Sequence, residues 1–161
     1  MRLFITLLLT LPFVSRGQDA GELPYIQNDN FVSNTFGFPA TIQNFKKNYG
    51  SLFSITKKPI RNIHDDAVVD TVYTFSAGKT KIQIYKAQHT DILQAAYIDT
   101  DKVALKYNIK VGDSKTDVGK RLKAAIAADK VQVGDLEQGQ VYTFTFSKGK
   151  LTAISYEGYA D

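Results

Sequence analysis

Apolar and polar residues alternate along two stretches of the chain, VYTFSAGKTKIQIY from Val72 to Tyr85 and VYTFTFSKGKLTAISY from Val141 to Tyr156. A period of two predicts strands, and a Gly beside a small or polar residue at the centre of each run predicts a tight hairpin turn. Shifted by 71 residues, Phe75-Ser76-Ala77-Gly78-Lys79 falls on Phe146-Ser147-Lys148-Gly149-Lys150, and Tyr85 falls on Tyr156. The shared pattern is F-S-x-G-K-x5-Y. With Lys148-Gly149 as a two-residue loop, Tyr142, Phe144 and Phe146 share a face with Leu151, Ala153 and Ser155. In the first run Tyr73 and Phe75 share a face with Thr80, Ile82 and Ile84. The opposite faces carry Thr143, Thr145, Thr152, Ile154 and Tyr156 in one run, and Thr74, Lys81, Gln83 and Tyr85 in the other.

A helical period precedes each hairpin. In PATIQNFKKNYG, Ile42, Phe45 and Tyr49 make a stripe, Pro39 suits a first turn and Gly50 a stop. In SKTDVGKRLKAAIAAD, Ser114 and Asp117 form a capping-box pattern. Val118, Leu122, Ala125 and Ile126 fall on one face there, and Gly119 weakens the helix by about 1 kcal/mol relative to Ala. Further strands are expected over 52–56, over 92–99 and near Val131; DILQAAY fits either period. Residues 18–38, polar and rich in Asn, read as an extended arm. A lone hairpin is marginal in water. The expected fold is therefore α+β: two tandem helix-then-antiparallel-hairpin repeats, residues 39–108 and 109–161, sharing one sheet with both helices on its aromatic face.

The N-terminal residues, MRLFITLLLTLPFVSRGQ, add a compartment. Arg2, an apolar run from Leu3 to Val14, and small residues at Ser15 and Gly17 predict a signal peptide over 1–17, cut before Gln18. About twelve apolar residues fall short of the roughly 20 that a membrane span needs. The expected product is exported, to the periplasm or the medium, and does not span the membrane. Losing Arg2 and Arg16 lowers the formal net charge from +4 to +2, which argues against a nucleic-acid partner. There is no cysteine, so disulfides, thiol catalysis, Cys-ligated metals and a lipid-modified N-terminal Cys are excluded.

Candidate chemistry is sparse. His64-Asp65-Asp66 could begin a metal site, but it lacks a third ligand at useful spacing and reads first as a solvated turn; His89, in QHTD, reads the same way. No G-x-S-x-G elbow occurs. DTDKV from Asp99 to Val103 starts like a calcium loop, fails at its fifth position, and reads as a turn. The glycines are dispersed, with no phosphate-cradling loop. Lys46, Lys47, Lys57 and Lys58 with Tyr49 and Phe53 form a basic-aromatic group whose plainer reading is a solvated helix face. Tyr85 and Tyr156 support two readings: interface residues with large contact area at little entropy cost, or cross-strand props for the sheet.

The stretch IKVGDSKTDVGKRL followed by YTFTFSKGKLTAISY resembles a recurrent secreted module: a hydrophobic-Gly-x-Ser-x-x-x-Val start to a helix, then a hairpin ending in G-K-L-T-x-I-x-Y. The module is similar to the small outer-membrane lipoprotein of the barrel-assembly machinery and, in tandem, to the β-lactamase inhibitor protein family. Ile109 to Tyr156 carry the likeness, and Ile42 to Tyr85 a blurred version. The resemblance implies a non-enzymatic protein-binding role in or outside the cell envelope, with an open concave sheet face meeting the partner. This chain lacks both the lipid-acceptor Cys of the lipoprotein and the paired cysteines of the inhibitor. The expected function is thus a secreted or periplasmic binding module that takes no cofactor. It would contact a protein or envelope component through Tyr85, Tyr156, Thr74, Lys81, Thr143 and Thr145. The alternatives are a small metal-dependent hydrolase built on His64, Asp65, Asp66 or His89, and a purely structural envelope protein.

Overall fold

Where apolar residues alternate, the chain forms strands with one face inward; where a capped 3.6-residue period runs, it forms short helices. The computed structural model describes residues 23–62, 65 and 67–158. In chain order they form β1 (Tyr25–Gln27), α1 (Asp29–Val32), α2 (Ile42–Tyr49), β2 (Ser54–Arg61), β3 (Val69–Ala77), β4 (Thr80–Lys86) and β5 (Asp91–Ile98). A single turn of 3₁₀ helix, Lys106–Asn108, leads to α3 (Lys115–Leu122), β6 (Lys130–Gly134), β7 (Val141–Ser147) and β8 (Lys150–Glu157).

The strands make one eight-stranded sheet in the order β1-β6-β7-β8-β5-β4-β3-β2. All neighbours are antiparallel except β1 and β6, which run parallel with Tyr25 beside Gln132 and Ile26 beside Val133. This mixed sheet corrects the expected α+β pair of helix-then-hairpin repeats. A four-stranded meander, β2 to β5, follows α2, and only three strands, β6 to β8, follow α3. The seam lies between β5 and β8, where Ala96 faces Tyr156 and Ile98 faces Ile154. The ambiguous DILQAAY resolves as strand β5 because both its edges find partners, β4 and β8.

The N-terminal segment is also corrected. It is no extended arm from residue 25 onward: β1 and α1 are packed into the body, and Phe31, Val32 and Phe36 are buried. Phe31 meets Tyr142 and Phe144 edge-on at ring separations of 5.9 and 5.8 Å, and Phe36 meets Phe45 at 4.8 Å. Burying a phenylalanine ring stabilises by about 1.5–3 kcal/mol, which helps offset the about 1–2 kcal/mol that fixing each residue's backbone costs.

The helices lie on the sheet's aromatic face. Thr41 Oγ1 accepts the Asn44 N–H at 3.2 Å to cap α2, and Asp91 Oδ2, from the start of β5, accepts the Ile42 N–H at 2.9 Å. Ile42, Phe45 and Tyr49 then face Phe75, Ile82 and Ile84 in the core. At α3, Ser114 Oγ accepts the Asp117 N–H at 3.0 Å. This helix stops at Leu122, before the Ala125 and Ile126 expected on its face, with Lys123 in the left-handed region at φ 58°. Gly119 explains the stop. A Cβ there would lie 2.6 Å from the Ala124 carbonyl oxygen, so the missing side chain lets the chain fold back over its own helix. Ile126 returns to the core from that loop rather than from the helix.

At the β2 edge, Lys57, Lys58, Pro59 and Arg61 line the outermost strand. Charges and a proline on an edge discourage pairing with another chain. Lys46 and Lys57, from the basic-aromatic group, both approach the Tyr73 ring, at 5.4 and 5.3 Å from its centre.

Candidate functional site

Cross-strand registry orders the sheet face away from the helices. One row crosses all eight strands: Tyr25, Gln132, Thr143, Ser155, Tyr97, Lys81, Ser76 and Ser54. Thr74 beside Gln83 belongs to the next row, and Thr145 beside Lys130 flanks it on the other side. All of these side chains are polar apart from two rings, Tyr25 at the β1 edge and Tyr97 near the middle, and Tyr97 has 42% of its surface exposed. A shallow depression beside it is bordered by Gln132, Val141, Thr143, Ser155, Tyr156 and Glu157.

Four of the six expected binding residues, Thr74, Lys81, Thr143 and Thr145, are on this face. The two tyrosines are not exposed there. Tyr156 is on the helix-covered face, because β8 carries a bulge: Thr145 pairs with Ala153 but Phe146 pairs with Leu151, leaving Thr152 over. An extra residue inverts the parity of everything beyond it. Leu151, Ile154 and Tyr156 therefore share the inner face, while Ala153 and Ser155 turn outward. Tyr156 stacks on Tyr142, with ring centres 4.6 Å apart and 24° between planes. Burial holds the Tyr142 phenol well above the ordinary tyrosine range; burial, with a smaller contribution from the charge of Asp135, raises that of Tyr156.

Tyr85 keeps the expected face but is buried, 9% exposed, at one corner of the sheet. Its hydroxyl donates to Asp70 Oδ2, which also accepts from Asn62 Nδ2 at 2.6 Å. The hydrogen bond to Asp70, then burial, raises the Tyr85 phenol above its usual range. Of the two readings for these tyrosines, the prop is the one the geometry supports for both. Tyr97 was the residue the sequence reading missed. Its signal was the alternation Ala95, Tyr97 against Ala96, Ile98, legible only once DILQAAY is taken as a strand.

Of the candidate metal residues, only Asp65 and His89 are among the described ones. His64 and Asp66 lie outside the described residues; Asp65 is exposed, and its Oδ1 accepts the Ala67 N–H at 2.9 Å. His89 is exposed in the turn between β4 and β5. Among the described residues there is no group of three or more His, Cys, Asp or Glu able to share a metal ion. Asp99, in DTDKV, accepts from Thr80 Oγ1 at 2.6 Å and so anchors the end of β5 to the β3–β4 turn. Among the described residues no helix is long and apolar enough to cross a membrane, and the expected signal peptide lies outside them. No family model, curated protein or solved structure matches this chain.

Proposed function

We propose that the protein is a non-enzymatic binding module, exported to the periplasm or medium, that meets a protein or envelope component through its uncovered sheet face. The observation that carries this reading is the eight-strand polar row with Tyr97 exposed at its middle. A flat, hydrogen-bonding surface around one rigid aromatic anchor is the composition that favours recognition over catalysis. The face is centred on Tyr97, Ser155 and Thr143, with Lys81, Thr74 and Thr145 around them. The leader expected over 1–17 and the resemblance to envelope modules are what support an exported location.

The test is affinity capture from envelope and medium fractions with the purified protein and with a Tyr97→Lys, Thr143→Lys variant. A partner retained by the wild type and lost by the variant, at an unchanged urea midpoint, supports the reading. Equal recovery by both proteins sinks it. Stoichiometric metal uptake would move the assignment to the hydrolase alternative, and neither capture nor metal would leave the structural role.

A further inference from the structure

The two edges of the sheet carry opposite charge. Residues 30–64 hold Lys46, Lys47, Lys57, Lys58 and Arg61 and no Asp or Glu. These cations belong to α2 and β2 at one edge, where the four lysines are exposed and Lys46 and Lys57 lean over the same Tyr73 ring. At the other edge, Asp29 follows β1, and Asp135 and Glu137 follow β6. Asp29 Oδ1 accepts the Leu136 N–H at 3.0 Å, which ties the start of α1 to the turn after β6 in one acidic corner. Of the nearby cations, Lys106 is held by Asn30 and Lys130 is at the far end of β6. The Tyr25 phenol responds to the sign of this corner: burial raises it first, then the charges of Asp135 and Asp29.

β1 and β2 are the outermost strands, about 34 Å apart along the sheet at about 4.8 Å per strand. Screening in physiological salt acts over about 8 Å, so the two edges do not neutralise each other. Each edge also exposes an apolar side chain. Leu136, 70% exposed, stands between Asp135 and Glu137, and Val69, 67% exposed, lies opposite Arg61 across the β2–β3 pair. Among the described residues these are the two most exposed large apolar side chains. Val69 borders an open depression of about 350 Å³ with Val68, Thr71 and Ala87. Lys58 is about 10 Å along β2 from Arg61. An apolar tip flanked by carboxylates thus has its complement on the opposite edge of the same molecule, beyond its own reach. Pro59 removes a backbone donor from β2, so such a contact is made by side chains rather than by strand addition.

We propose that copies of this chain associate head to tail, with Asp29, Leu136 and Glu137 of one copy on Lys57, Lys58 and Val69 of the next. Patches that are complementary but not identical do not close on themselves, so the product is an open chain of copies rather than a dimer. The uncovered sheet face stays free, and neither assignment depends on the other.

Sedimentation velocity of the purified protein across a concentration series is the test. At about 20 mM salt the mean mass should rise continuously beyond twice the monomer, and at about 500 mM it should return to the monomer. This salt series reads the contact without any substitution. Leu136→Lys with Glu137→Lys removes the acidic corner, and Lys57→Glu with Lys58→Glu removes the basic edge. Each variant alone should stay monomeric with circular dichroism unchanged. The first keeps a working edge and the second a working corner, so an equal mixture should form one-to-one pairs. A wild type that stays monomeric at low salt, growth that stops at a dimer, association that survives either pair of substitutions, or a mixture that stays monomeric would each overturn the proposal. A monomeric wild type whose β2 amides shift with polyglutamate would also overturn it, and would give the basic edge to a different acidic partner.

Discussion

The β3–β4 and β7–β8 hairpins carry the same letters, F-S-x-G-K-x5-Y, and use them differently. The first turns through Gly78-Lys79, with Ala77 paired to Thr80; the second turns through Lys148-Gly149, with Ser147 paired to Lys150. The matched glycine is therefore first in one loop and second in the other, at φ 60° and 73°. In the second loop Lys148 also adopts positive φ, 50°, as a turn of the mirror-image type I′ requires. Beyond the turn, β4 pairs with β3 without interruption, whereas β8 takes the bulge at Thr152. The outcome is two motif-matched tyrosines on opposite sides of one sheet. Tyr85 is held by its hydroxyl through Asp70, and Tyr156 by its ring against Tyr142. Likeness of motif fixes composition here; the count of residues from turn to tyrosine, and whether one is left unpaired, fixes the face.

The comparison breaks most completely by inserting a serine between Thr152 and Ala153. Deleting Thr152 would leave Ala153 opposite Thr145 and Tyr156 opposite Tyr142, each on its own face. An added residue instead turns Ile154 and Tyr156 to solvent and Ala153 and Ser155 inward. A loss above about 4 kcal/mol is expected, read as loss of the cooperative urea transition. Retention of a wild-type midpoint would mean that the residue count does not set the face.

Separating ring from hydroxyl sharpens it. Tyr156→Ala should cost about 3 kcal/mol as a truncated core ring. Tyr156→Phe should cost under about 0.5 kcal/mol, since its ring stacked on Tyr142 is what holds it. Tyr85→Phe should cost about 1–2 kcal/mol, because Asp70 is buried and loses a donor. Reversal of the two Phe variants in urea unfolding would contradict the assigned roles.

A smaller effect is expected in alkali. Tyr49, Tyr142 and Tyr156 are raised chiefly by burial, and Tyr85 chiefly by its bond to Asp70. A phenol whose folded value lies above its unfolded one contributes stability that is complete below about pH 10 and is lost as pH rises through the folded value. Urea midpoints should hold steady to about pH 10 and then fall, less steeply in Tyr85→Phe. An unchanged midpoint well above that pH would show that these phenols ionise without unfolding the chain.

Local signals were readable in the chain, and distant pairing was not. The Thr and Phe alternation of β7, the core stripe of α2 and the Ser114 cap each involve residues within a few positions of one another. Thr74, Lys81, Thr143 and Thr145 could be assigned a face because each sits on a strand before any interruption. Tyr156 could not, because a bulge is a choice between competing pairings and leaves no mark in a Thr-rich stretch. The inward packing of Phe31 and Phe36 was masked by the polar residues between them. The parallel match of Tyr25 with Gln132 has no periodic signature at all.

That last pairing has a consequence for the order of events as the chain emerges during synthesis. The earliest strand has nothing to lie against until β6 appears, and Phe31 has no slot until Tyr142 and Phe144 follow. Contacts that close so long a loop form late, because the loop's entropy must be surrendered first. β1 and α1 therefore stay unpaired through most of translation, accessible to whatever handles the nascent chain, and lock only when β6 and β7 have been made.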